Sequence, residues 1–244
     1  MAKVEDKVSR SKKLLNNLSS EKYRWEDTSK NFKVQLASVL GDVFLSSAFL
    51  AYIGFFDHYY RKLLSNVWRS NLTNNRVKFR EELLLIEFLS NPNERLVWRS
   101  HKLPSDDLCT ENAIIMKRYH KYPLIIDPAG QAMEYLLSLL ADKSFILSSF
   151  ADDAFLKNLE KSLRFGRPLL VQDVEKIEPI LNSVLNKEVY KTGGMVLIRV
   201  GDQEIDFNPN FTMFMITRNS NAKFTPDLCS RVTFVNFTIT SSSL

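Results

Sequence analysis

Apolar residues at the start of the chain recur in alternating steps of four and three. Val4, Val8, Leu15, Leu18, Trp25, Phe32, Leu36, Val39 and Val43 share one seam with Ser11, Lys22 and Ser29. A single amphipathic helix shows such spacing over two or three heptads, and a coiled-coil strand sustains it longer. In this chain it holds for about five heptads, which favours the coiled coil. Because the seam is in register by residue 4, its partner helix is expected outside residues 1–244. Beyond Gly41 the polar positions thin out. The apolar run of residues 43–56, about fourteen long between Asp42 and Asp57, falls short of the ~20 residues that span a bilayer. It predicts a core helix buried on nearly all faces. Three more helices are predicted: an amphipathic one over 73–89, one over 93–100 after Asn91-Pro92, and one over 110–119 after Pro104.

From Leu124 the period changes. Short apolar runs at 124–126, 144–147, 169–173, 211–217 and 232–238 read as strands. Residues 152–165 and 179–189 read as helices between them. Gly193-Gly194 and Gly201-Asp202 frame a hairpin of 195–200 and 203–207. Alternating β and α segments predict an α/β fold, a parallel sheet with helices on its faces. The expected organisation is a long helical segment over 1–40, a helical lead-in over 41–120 and the α/β core over 121–244.

Composition narrows the function classes. The 244 residues are 45% hydrophobic, which suits a globular chain, and the net charge of +5 comes from 33 basic and 28 acidic residues. That is a mixed surface and not a nucleic-acid stripe. Cys109 and Cys229 are far apart without a C-x-x-C, and His58, His101 and His120 have no ligand spacing. Neither a disulfide framework nor a metal site is indicated, and the expected compartment is reducing. The basic, polar N-terminus has no signal-peptide pattern.

The candidate chemistry lies in Tyr122-Pro-Leu-Ile-Ile-Asp-Pro-Ala-Gly-Gln-Ala-Met-Glu134, a strand, a loop and a helix start. A working phosphate loop reads G-x-x-x-x-G-K-S/T, with glycines for backbone approach, Lys for the outer phosphates and a hydroxyl for Mg²⁺. In this register Asp127 replaces the first Gly, Ala132 the last, Met133 the Lys and Glu134 the hydroxyl, while Gly130 remains inside the loop. Two carboxylates would then face a triphosphate without a Lys. At ~4 Å each such contact costs on the order of 1–4 kcal/mol. Alone, Asp-Pro-Ala-Gly after a strand is also an ordinary βα turn.

The order of the later segments is that of an AAA+ module. Asp173 ends an apolar strand where a Walker B Asp would hold Mg²⁺ through water. Val174 stands where the water-polarising Glu belongs, and Glu175 comes one residue late. Asn219 has the place of a sensor Asn and Arg231 that of an arginine finger. Asp173, Asn219 and Arg231 each have a plainer reading, as a helix cap, a turn residue and a surface charge, but with the loop all four motifs fall in the right order.

Longer blocks make the likeness specific: Trp25-Glu-Asp-Thr-Ser29, Phe49-Leu-Ala-Tyr52, Asp106-Asp-Leu-Cys-Thr-Glu-Asn-Ala113, Tyr122 to Pro128, Leu163-Arg-Phe-Gly166, Pro168 to Glu175 and Asp227 to Phe237. Across essentially its whole length the chain resembles the cytoplasmic dynein heavy chain, at the returning stalk helix and the fifth AAA+ module of the motor ring. The resemblance implies a microtubule minus-end-directed motor in the cytoplasm whose ATP and Mg²⁺ chemistry lies mainly in the first module. The fifth would bind no nucleotide and serve as a structural relay. Partners implied are the fourth and sixth modules, the opposing stalk helix and the mechanical linker, with the microtubule reached only through the stalk. No membrane or nucleic-acid partner is implied. The helical lid of such a module is expected beyond Leu244. Lys157, Arg164 and Phe165 match the linker-docking surface best, against a solvated basic face with a core Phe. Arg231 would act, if at all, on the fourth module's nucleotide. Two other readings stay open: a nucleotide-binding AAA+ module with an altered loop, and a helical protein-interaction adaptor.

Overall fold

A computed structural model describes residues 2–238, apart from the side-chain surroundings of residues 2–17, 31 and 33–35. The chain divides into two compact units, Met1–Leu45 with Trp68–Leu83, and Ser46–Val67 with Leu84–Leu244.

Helix α1 is Ala2–Tyr52; this stretch contains no Pro and a single Gly, so nothing in it breaks the backbone ladder. The described seam residues Leu18, Trp25, Phe32, Leu36, Val39 and Val43 are all exposed. Val4, Val8, Ser11 and Leu15 lie outside the described side chains. Past Gly41 the expectation of burial on nearly all faces is corrected. Leu45, Phe49 and Ile53 form one buried stripe at four-residue steps, while Val43, Phe44, Tyr52 and Phe55 are exposed. Residues 36–55 are long and apolar enough to cross a membrane by composition. Within them Asp42 is 2% exposed and accepts from the backbone N–H and Nε of Arg80 at 2.9 and 2.7 Å. A carboxylate so held fits a packed protein interior.

The expected helix over 73–89 does not form. Instead α2 spans His58–Asn74 and a one-turn α3 spans Leu85–Leu89. Asn74-Asn75 is turn chemistry: Arg76 takes a left-handed φ of 56°, and the N–H groups of Arg76 and Val77 return to Thr73 and Leu72. Helix α4 is Pro92–Ser100, started by a capping box of Asn91 and Glu94. Helix α5, Asp107–Arg118, starts three residues before the expected 110 because Asp106 caps it, accepting from the Cys109 N–H at 3.0 Å.

The larger unit is built on a five-stranded parallel sheet, as expected. Its strands are β1 Pro123–Ile126, β2 Ile146–Ser149, β3 Leu169–Gln172, β7 Met213–Thr217 and β8 Thr233–Asn236, in the order β2-β3-β7-β1-β8. Helices α6 Gln131–Leu140 and α7 Phe155–Phe165 lie between strands in sequence. Buried Leu124, Leu169, Val171, Met213 and Met215 join Leu159 and Leu163 of α7 in the main core. The helix expected over 179–189 shrinks to a 3₁₀ turn, Pro179–Leu181, and α8, Asn182–Leu185. Lys187 turns left-handed at φ 54°, and the β-prone Val189-Tyr190 opens a strand. This β4, Val189–Thr192, pairs with β5 Met195–Val200, which pairs with β6 Gln203–Asp206 in an antiparallel sheet. The sequence pattern predicts the hairpin but not its third strand.

One buried cation fastens the helical lead-in to the sheet. After α1 the chain makes a 3₁₀ turn, Ile53–Phe55, so close to β8 that a Cβ on Gly54 would stand 2.1 Å from the Phe234 carbonyl oxygen. Arg61, 2% exposed, donates to the carbonyls of Phe56 and Gly54, to Glu111 Oε2 at 2.8 Å and to Asn112 Oδ1 at 2.6 Å. Asn112 donates in turn to the Asn236 carbonyl at 2.7 Å, and the Asn236 side-chain amide to the Phe55 carbonyl at 3.1 Å. The Arg61, Asn112 and Asn236 side chains each meet a partner here, and a connected network of this kind is stabilising.

Candidate functional site

The loop of residues 127–130 joins β1 to α6, at the end of the sheet where parallel α/β folds place ligands. Asp127 continues β1, its N–H donating to the Thr217 carbonyl at 2.8 Å. The chain turns at Gly130, whose left-handed φ of 79° makes it the N-cap of α6. The first amides of α6 have no helical acceptor, so they face back into the loop.

What they meet is the loop's own carboxyl group. Asp127 is fully buried, and its Oδ2 accepts from the Met133 N–H at 3.0 Å. Its Oδ1 is buried without a hydrogen-bond partner among the described residues. Burial pushes this carboxyl above the ordinary aspartate range, against the opposite pull of the N–H groups of Met133, Gln131, Gly130 and Ala132.

The other loop positions follow from the same geometry. Ala132 is fully buried beneath the loop. Met133 is half-buried, and its Sδ accepts from Gln172 Nε2 at 3.6 Å. Glu134 is exposed on the first turn of α6. The free space bordered by Asp127, Gly130, Met133, Gln172, Asp173, Ile216 and Arg218 is about 10 Å³, enough for a single water at most.

β3 stops at Gln172, so Asp173 lies one residue past the strand, exposed, with a left-handed φ of 52°. Val174 is fully buried, and its N–H donates to the Ile216 carbonyl at 3.0 Å. Glu175 is exposed and not on a strand. Asn219 is exposed and closes its own turn, accepting from the Asn221 N–H at 3.0 Å; it does not border the cavity. Arg231 ends α9, Pro226–Arg231, and pairs with Asp227 at 2.8 Å.

On α7, Lys157 and Arg164 are exposed, and Phe165 is 62% exposed, which excludes a core role for that ring. Arg164 pairs with Glu160 at 3.0 Å, and the Arg167 guanidinium lies 5.7 Å from the Phe165 ring centroid. Sequence reasoning seeks a replacement cation only within the loop and so misses Arg218. That residue follows β7, which pairs with both β1 and β3, and only the strand order brings it to the cavity.

Two family models match the chain. Residues 96–244 match the ATP-binding dynein motor region, and residues 2–72 match the microtubule-binding stalk of the dynein motor. Among similar proteins, the cytoplasmic dynein heavy chain of Dictyostelium discoideum is 58% identical over 243 residues, covering 100% of this chain and 5% of that protein. That of Paramecium tetraurelia is 61% identical over 229 residues, 93% of this chain and 5% of the relative. The axonemal heavy chain 2 of Mus musculus is 34% identical over 243 residues, 99% of this chain and 6% of the relative. The chain therefore spans about a twentieth of the length of the curated relatives it matches.

Proposed function

The chain belongs to the dynein heavy chain family, and from that premise we propose that it is a non-catalytic relay module of a microtubule minus-end-directed motor. In this reading the parent motor binds ATP and Mg²⁺ in other modules and works on cytoplasmic microtubules, and this stretch connects the ring to stalk and linker. The observation that carries the reading is the Asp127 carboxyl group lying among the loop amides. The residues present do not fit a nucleotide with Mg²⁺. The space is about 10 Å³, no Lys follows the loop, and Val174 replaces the Glu that would activate water.

The exposed seam of α1 suits an opposing stalk helix. Lys157, Arg164 and Phe165 offer a mixed basic and aromatic surface for the linker, and Arg231 remains a candidate finger for the fourth module's site. A second reading, a nucleotide-binding module with an altered loop, draws support from Arg218 bordering the cavity. The test is titration with a fluorescent ATP analogue and Mg²⁺, of this chain and of a longer one carrying an AAA+ lid. The relay reading expects no saturation below millimolar in either; micromolar binding to the longer chain overturns it in favour of the second reading.

A further inference from the structure

We propose that the Asp127 carboxyl group is the resident occupant of the phosphate loop, closing a nest that would otherwise bind a tetrahedral oxyanion such as inorganic phosphate. The inference rests on the non-catalytic reading above and supplies its cause.

Three observations converge. Helix α6 is ten residues long and begins with amides directed into the loop, the arrangement that binds anions at helix N-termini. A carboxyl oxygen of Asp127 already accepts from one of these amides, that of Met133. The second oxygen is buried with no donor among the described residues, although its side chain borders the small cavity by Gly130 and Met133. A lone buried acceptor is costly. It is the expected remnant when a two-oxygen group fills a nest shaped for an anion with more oxygens: Oδ2 bonds the Met133 N–H, while the N–H groups of Gln131, Gly130 and Ala132 draw on the carboxyl without forming a hydrogen bond to Oδ1. The occupant is covalently tethered three residues before Gly130, so its local concentration exceeds that of any free anion. It excludes phosphate by volume, since only about 10 Å³ is left, and Arg218 beside that space would favour an anion once room existed.

Asp127 is not among the positive-φ residues, so alanine fits its backbone. Thermal melts of the wild type, Asp127→Ala and Asp127→Asn are compared in inorganic phosphate and in chloride at matched ionic strength. The alanine variant should gain a rise of about 4 °C when phosphate is tenfold above its Kd, growing with the logarithm of phosphate concentration beyond that, and should broaden the ³¹P resonance. The wild type should show neither effect. Nor should Asp127→Asn, which keeps the side-chain volume. Equal phosphate shifts in all three, or none in the alanine variant, overturn the proposal. If the alanine variant does not fold in chloride, refolding into phosphate decides: recovered helical circular dichroism supports the occupant, and no recovery while Asp127→Asn folds overturns it. A phosphate-blind alanine variant leaves the relay reading intact, whereas saturable ATP binding by the wild type refutes that reading itself.

Discussion

Replacing Arg61 by Met should cost the larger unit about 3–5 kcal/mol. The guanidinium serves four acceptors: the carbonyls of Phe56 and Gly54, Asn112 Oδ1 and Glu111 Oε2. Met fills a similar length but donates nothing. The Glu111 side chain is 18% exposed, so its freed oxygen can reach water, and its share is discounted. The other three acceptors lie in the packed joint between the 3₁₀ turn, α5 and β8. Leaving each unpaired costs about 1 kcal/mol or somewhat more, which gives the stated total. For a chain of this size it corresponds to a fall in Tm of about 10 °C. Urea unfolding followed by circular dichroism measures the loss. Arg61→Lys should keep only a minor part of the stability, because one ammonium cannot reach acceptors spread around a planar fork. Glu111→Gln should cost less than Arg61→Met, because the amide oxygen still accepts from Arg61 at a partly exposed position and only the counter-charge of the buried guanidinium is lost. A loss below about 1 kcal/mol for Arg61→Met would refute the view that this cation holds the lead-in to the sheet.

Three further outcomes are expected. Burial raises the folded-state pKa of Asp127 above its unfolded value, so the unfolded chain releases this proton first as pH rises. Its effect is a stability that is full below the unfolded pKa of about 4 and declines through the folded pKa; in pH-dependent melts Asp127→Asn should flatten that slope, and an unchanged slope would contradict it. Joint reversal of Lys157 and Arg164 to Glu in a complete motor should slow microtubule gliding while leaving thermal stability within about 0.5 kcal/mol; normal velocity rejects α7 as a linker surface. If, as the dynein resemblance implies, the stalk helix signals through a shift in coiled-coil register, changing Ser11, Lys22 and Ser29 to Leu in a complete motor should hold it in one register, since apolar core residues bind their register more tightly; microtubule affinity that varies through the ATP cycle as in the unmodified motor would reject this.

The parallel sheet is legible in the sequence because its strands are short apolar runs, and Leu124, Leu169 and Met213 are fully buried. Element ends are less legible, because they are set by left-handed residues at Arg76, Asp173 and Lys187, none of them a glycine that would mark the turn. The helix expected over 179–189 stops at Leu185, short of the left-handed Lys187, and its last residue, Val189, goes instead to the unexpected β4. Within the loop, the missing Lys and glycines can be read from residue identities alone, yet those identities set Asp127 against a hypothetical triphosphate. They do not reveal that the same carboxyl turns inward. That depends on Gly130 and on the direction of the first α6 amides, which are properties of the folded loop.

The Arg61 network and the closed loop meet on neighbouring strands. Asn236, which Asn112 and the Phe55 carbonyl hold, pairs in parallel register with Ile126, the residue before Asp127. The Phe237 N–H donates to the Ile126 carbonyl at 2.8 Å. In the relay reading proposed above, a load arriving at the 3₁₀ turn 53–55 would pass to β8 and then to the strand that ends in the loop. Were that loop to bind and lose a nucleotide, the joint between β1 and β8 would rest on a support that changes with each cycle. A carboxyl fixed to the chain cannot dissociate, so the support is the same at every step. On the proposed reading, an Asp127 carboxyl fixed in the loop would suit the module to a relay role, because a relay must not yield at its own anchor.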